Sequence, residues 1–312
     1  MYDGKITDVP GIEVGHAEHS SKKTGCTVVL CRNGAVGGVD VRGASPGTRE
    51  TDLMRPTNAV QEVNAVFLTG GSAFGLSVGD GIMEYLEEQG IGYDTGVARV
   101  PIVPGAVLFD LAYGDSSIRP DAQMGYMACK NASAKEVSQG IVGAGAGATV
   151  GKILGMDFCM KGGIGTASIK LPSGVIVGAI VAVNAFGDVI DIENGNILAG
   201  ARHPDNKGVF LNTKEFLFKK DMNIEFSSTN TTIGVVATNA KLSKEGANKL
   251  ASMAHDGLAI SISPVHTMVD GDTLFCLSTG DKKEDINILG MAAVEVVARA
   301  VNNALLSVML KR

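Results

Sequence analysis

The sequence predicts an α+β layered sandwich. Three observations carry this. Strand-like runs cluster and then give way to clusters of helix-like runs, without the steady alternation of a doubly wound parallel sheet. Hydrophobic residues make up 45 % of 312, which is ample for a core at the upper edge of one large domain. The 41 glycines are aperiodic and prolines number only 9, so they read as tight turns and close backbone approaches, not as collagen or linker.

The elements follow in order. Residues 26–31 and 35–41 read as two strands, with Arg32-Asn33-Gly34 as a tight hairpin between them. A polar Gly/Pro loop covers 42–50. Residues 64–69 form a short apolar strand that runs into Thr69-Gly70-Gly71-Ser72 and opens a helix to about Gln89. Leu76, Val78, Ile82, Tyr85 and Leu86 give that helix an apolar face at three-to-four spacing. A second helix is expected over 121–139, followed by the glycine loop 140–148. Strands are expected at 165–171 and 174–184 around Pro172-Ser173-Gly174. Residues 195–229 read as a polar surface excursion. A strand 232–238, a helix near 243–260, a strand 273–278 and a helix 285–308 complete the chain.

Composition excludes several functions. The net charge of −6 and the lack of a basic cluster argue against nucleic acid and membrane surfaces. Absence of Trp and few aromatics argue against base stacking. Five irregularly spaced cysteines without C-x-x-C suit reduced thiols in a cytoplasmic protein, and the histidines lack zinc spacing, so no metal or other cofactor is expected. The N-terminus lacks an apolar signal core, and the apolar run 174–186 is too short to span a membrane.

The chemistry-bearing stretch is Ser227-Ser228-Thr229-Asn230-Thr231-Thr232-Ile233-Gly234-Val235-Val236. A hydroxyl at the mouth of a buried strand can attack its own preceding carbonyl. An N-to-O acyl shift and hydrolysis would leave Thr231 with a free amine of ordinary pKa about 7.7–8.0, close to that of a useful general base. The plain alternative is a turn into a strand. Other candidates have plain readings beside them. The loop 143–148, with Gly145, offers amides to an anion or else lets helix and sheet approach. Ser72 is one residue out of register for a nucleophile elbow and reads as a helix cap that lines a pocket. Asp270-Gly271-Asp272 is a carboxylate pair or an Asp-Gly turn. Asn184 is a turn residue or an oxyanion donor.

Taken together, residues 6–16, 41–50 (Val41-Arg42-Gly43-Ala44-Ser45-Pro46-Gly47-Thr48-Arg49-Glu50), 68–76, 142–148, 230–233 and 254–259 resemble the DmpA-like family of L-aminopeptidase/D-Ala-esterase/amidases and β-aminopeptidases. The resemblance spans nearly the whole chain. It implies a four-layer αββα sandwich of the N-terminal-nucleophile type, and cleavage between Asn230 and Thr231 into residues 1–230 and 231–312. It implies a cofactor-free aminopeptidase/amidase acting on small peptides, amides or esters, and a homo-oligomer, with a tetramer as the family's form. By resemblance Thr231 is nucleophile and base, Asn184 donates to the oxyanion, and Asp270 and Asp272 match the family's S-G-E-like motif. Aspartate at 270 departs from the expected serine and leaves Asp272 as the firmer match. Two other functions compete: an acyltransferase on a related fold, and a non-catalytic binding protein for an anionic metabolite.

Overall fold

The computed structural model describes residues 1–219 and 230–310, so Ser227, Ser228 and Thr229 lie outside the described residues. The strand Thr231–Ala240 lies inside a nine-stranded sheet, between Ile176–Asn184 and Thr273–Lys282. The order from one edge is Gly163–Lys170, Ile176–Asn184, Thr231–Ala240, Thr273–Lys282, Gly25–Val41, Glu62–Thr69, Gly105–Val107 and Thr48–Arg49. Glu13–Glu18 pairs separately with Gly25–Val41.

Alternating side chains sort this sheet into layers. Val236, Val181, Leu274 and Cys276 face the helices α4 (Lys244–Ser261) and α5 (Ile286–Met309), against Leu250, Leu258, Val297 and Val301. Their strand neighbours Ile233, Val235, Ile180 and Phe275 turn inward and meet Val29, Val66 and Leu68 from the other half of the sheet. The opposite faces of those strands, Val28, Leu30 and Phe67, pack on Val78, Ile82 and Leu86 of α1 (Val78–Glu88) and Ala128 of α2 (Ala122–Lys130). Three cores in succession give helices, sheet, sheet and helices, the expected αββα order. Each fully buried Val, Ile or Leu contributes about 2 kcal/mol to holding the layers together.

The glycine excess serves close approach. A Cβ on Gly165 would lie 2.2 Å from the Ala300 carbonyl oxygen of α5, and one on Gly81 would lie 1.7 Å from that of Ala122 at the start of α2. α5 is long and apolar enough to cross a membrane by length and composition, but 72 % of its most apolar window is buried, as in a core helix.

Four expectations change. Residues 26–31 and 35–41 are one continuous strand, Gly25–Val41, not a hairpin. Gly34, at φ +83°, marks a register shift against Glu62–Thr69 between Leu30 and Ala35, so the chain bulges and continues in the same direction. α2 stops at Lys130, because Ser133 leaves to bridge Val14 on the sheet edge. Ser72 does not cap a helix. Gly71, at φ +85°, is the cap of a 3-10 turn Ser72–Ser77, and no side chain bonds there. The excursion 195–229 contains a short strand, Ile197–Ala199, and α3, described over Thr213–Lys219.

Candidate active site

Topology brings the site together. Thr231–Ala240 runs parallel to Thr273–Lys282, with α4 as the crossover, so both strands begin at the same end of the sheet. Asn230 bridges Asp270 there. On the other flank Ile176–Asn184 runs antiparallel and places Asn184 directly opposite Thr231. Thr231 thus stands between Asn184 and the Asp270–Asp272 turn, and is 5 % exposed.

The Thr231 hydroxyl donates to the carbonyl oxygen of Asn230, the group that self-cleavage would attack. The Gly271 N–H donates to the same oxygen at 3.0 Å. Two donors on one carbonyl polarise it toward attack. Gly271 has no room for a side chain. A Cβ would lie 2.8 Å from the Thr231 hydroxyl and 2.6 Å from the Ser45 carbonyl oxygen. The polar loop after Val41 backs this turn: Arg42 and Gly43 N–H donate to the Asp272 carbonyl at 3.0 and 3.2 Å, and Ser45 N–H to that of Asp270 at 2.9 Å.

The two carboxylates have different duties. Asp272 Oδ1 accepts the Thr232 N–H at 2.7 Å, and its Oδ2 accepts from His266. Asp270 Oδ2 accepts the N–H and hydroxyl of Thr267, at 2.9 and 2.5 Å. Burial, and then the neighbouring Asp272 charge, raise Asp270 above the ordinary carboxylate range. A hydroxyl therefore does accompany the pair, but it comes from Thr267 and serves Asp270.

Asn184 is fully buried. Its Oδ1 accepts from Thr149 N–H at 3.0 Å and from Lys152 Nζ at 2.8 Å, which orients the amide so that Nδ2 donates, here to the Phe109 carbonyl at 3.0 Å. Lys152 also donates to the Asn184 backbone carbonyl at 3.0 Å. Burial pushes Lys152 down to about 7, where an amine gives and takes protons readily. Lys152 is not among the residues that the sequence motifs single out. The available signal was a lysine inside an otherwise apolar, glycine-rich stretch.

Gly145 and Ser72 sit elsewhere in the network. Gly145 is buried, with its N–H on the Val142 carbonyl. Gly143, Ala144 and Ala146 likewise commit their amides, to Glu18, Thr27 and the Gly143 carbonyl. Lys161, pushed down to about 7 by burial, grips the carbonyls of Gly145 and Ala148 at 3.0 and 2.5 Å. The amides of residues 143–146 are thus satisfied within the protein. Ser72 N–H donates to the Leu108 carbonyl at 3.0 Å, at a strand-to-helix corner. Among the described residues no hydrogen bond joins Gly145 or Ser72 to Thr231. No group of three or more His, Cys, Asp or Glu there is placed to hold a metal ion.

Residues 4–309 match the model of peptidase family S58. The chain is 42 % identical to the uncharacterized aminopeptidase ML1167 of Mycobacterium leprae, over 97 % of this chain and 90 % of that protein. It is 32 % identical to the 6-aminohexanoate-oligomer endohydrolase of Kocuria sp., over 88 % of this chain and 74 % of that protein. Its fold matches that of the L-aminopeptidase D-Ala-esterase/amidase of Ochrobactrum anthropi, a variant of the Ntn-hydrolase fold. The TM-score is 0.71 at 19 % identity, over 97 % of this chain and 86 % of that one. The chain therefore belongs to peptidase family S58, the DmpA/β-aminopeptidase family, and is a hydrolase of the aminopeptidase/amidase type.

Proposed function

We propose that this S58 hydrolase cuts its own chain between Asn230 and Thr231, and then uses Thr231 as an N-terminal nucleophile. Its substrates are small peptides, amides or esters of amino acids. The observation that carries this is the Asn230 carbonyl, which accepts from both the Thr231 hydroxyl and the Gly271 N–H.

In the first reaction the Thr231 Oγ1 gives up its proton and attacks the Asn230 carbonyl carbon. The Gly271 N–H supports the resulting oxyanion. The C–N bond breaks as the Thr231 nitrogen takes a proton, and an ester to Oγ1 remains. Water hydrolyses that ester and leaves the Asn230 carboxylate and a free Thr231 amine. The uncut chain lacks that amine, so another base must take the first proton. Lys152, near 7 and bonded to the strand partner of Thr231, is suited to it.

In turnover the freed amine takes the Oγ1 proton, and Oγ1 attacks the substrate carbonyl. Asn184 Nδ2 donates to the oxyanion. The protonated leaving group departs, and water releases the acyl group. The Asp270–Asp272 pair beside Thr231 suits a substrate ammonium. Relatives named for aminopeptidase and for 6-aminohexanoate-oligomer hydrolysis support substrates that carry an amine and an amide together.

Intact-mass analysis tests the cut. The 32.2 kDa chain is expected to resolve into fragments of 230 and 82 residues, and Thr231→Ala to remain whole and inactive on aminoacyl p-nitroanilides. An uncut wild-type chain that hydrolyses these compounds would refute the reading.

A further inference from the structure

His266 places two donors on one oxygen of Asp272: its backbone N–H at 3.2 Å and its ring Nδ1 at 2.8 Å. The other Asp272 oxygen holds the Thr232 N–H at 2.7 Å. The carboxylate thus links His266 to the residue that follows the nucleophile, and its side chain is 1 % exposed.

His266 adopts φ +56°, in the left-handed region that a side chain with a Cβ occupies at a cost and that glycine or asparagine adopts more readily. This backbone lets one residue deliver amide and ring to the same oxygen. A carboxylate accepts, so Nδ1 carries the hydrogen and the neutral ring's lone pair lies on Nε2. That nitrogen is buried without a hydrogen-bond partner among the described residues. It belongs to a ring packed edge-on against His255 of α4, with centroids 4.9 Å apart and planes at 66°. His255 donates through Nε2 to the Asp40 carbonyl at 3.0 Å, which fixes that ring in turn. The arrangement is a strut: His255 backs His266, His266 holds Asp272, and Asp272 holds the start of the Thr231 strand. Among the described residues no hydrogen bond joins any part of it to the Thr231 hydroxyl.

We propose that His266 is a positioning residue for the reaction at Thr231, fixing the Asp272 rotamer so that Thr231 stays in register between Asn184 and Gly271. The proposal rests on Thr231 being the nucleophile. Misplacement of a reacting group by about 1 Å costs on the order of a hundredfold in rate, so loss of the strut is read in kcat.

Three variants test it: His266→Gly, His266→Asn and Thr231→Ala. Gly keeps the backbone donor and relaxes φ while removing the ring. Asn tolerates the same backbone and restores a side-chain N–H. Self-cleavage is followed by intact mass, and kcat and KM on aminoacyl p-nitroanilides. Expected for His266→Gly is a melting temperature not below wild type, kcat down at least tenfold, KM within about threefold, and slower self-cleavage. His266→Asn should return kcat to within about threefold of wild type. Gly with wild-type kcat, or Asn no faster than Gly, overturns the proposal and leaves His266 a packing role. If Gly lowers the melting temperature, the Asn variant alone decides: near-wild-type kcat supports the strut, and a tenfold loss sinks it. Full activity in Thr231→Ala would instead overturn the nucleophile assignment, an outcome distinct from those at His266.

Discussion

Replacing Lys152 by Met in the uncut Thr231→Ala chain is expected to stabilise the fold at neutral and lower pH. Lys152 is buried, and burial takes its pKa from 10.5 to about 7. At about 1.4 kcal/mol per tenfold, holding the charged form inside costs about 5 kcal/mol below pH 7. Against this, the variant loses two hydrogen bonds to Asn184, about 1 kcal/mol each. Asn184 Oδ1 keeps the Thr149 N–H, so the side-chain oxygen is not stranded. An unbranched thioether refills most of the volume. The net gain is about 2–3 kcal/mol. Its pH dependence follows from the sign of proton binding. Between about 7 and 10.5 the unfolded lysine carries a proton that the folded one does not. Stability of the Lys152 chain therefore rises with pH there, by up to about 1.4 kcal/mol per pH unit. The advantage of Met is complete below 7, shrinks through this window and reverses near pH 9, and by about 10.5 only the lost hydrogen bonds remain. Lys161 is present in both chains and largely cancels. Urea unfolding at pH 6, 8 and 10 measures this. A Met variant less stable than its parent at pH 6, or a gain that does not decline with pH, would refute the reasoning. With Thr231 restored, Lys152→Met should slow self-cleavage by about 10²–10⁴, the usual worth of a general base.

Asn184→Ala is expected to lower kcat by about 10²–10³ with little change in KM, because an oxyanion donor acts mainly in the transition state. Steady-state kinetics of the processed enzyme check it, and an unchanged kcat would remove Asn184 from the oxyanion site. Gly81→Ala sets a Cβ 1.7 Å from a backbone oxygen of α2 and should cost about 1–3 kcal/mol, read as a lower denaturant midpoint. Equal midpoints would mean that α1 and α2 separate more easily than their packing implies.

Much of the architecture was legible along the chain, because alternation and helical periodicity are local. The run after Thr231, the strand 273–278 and the periods of α4 and α5 each declare which face must be covered. The Asn230–Thr231 junction, Asn184 and the two aspartates were also singled out, through motifs that match a family, and the fold brings them together. Local pattern misled where one residue has two uses. Arg32-Asn33-Gly34 suits a hairpin, but Gly34 at φ +83° makes a bulge inside one strand, since both runs find partners on the same neighbour. Helical pattern past Lys130 lost to a bridge between Ser133 and Val14.

The sequence by itself determined a layered α+β arrangement and the place of Thr231 at a strand mouth, since alternation and helical period declare which faces must be covered. What only the tertiary structure decided is which polar groups share that mouth. Strand register sets Asn184 opposite Thr231, the α4 crossover starts the partner strand beside it, and a bonded lysine arrives from a distant loop. The pKa of Lys152 and the strut from His266 to Asp272 depend on enclosure and contact in space, which spacing along a chain does not encode.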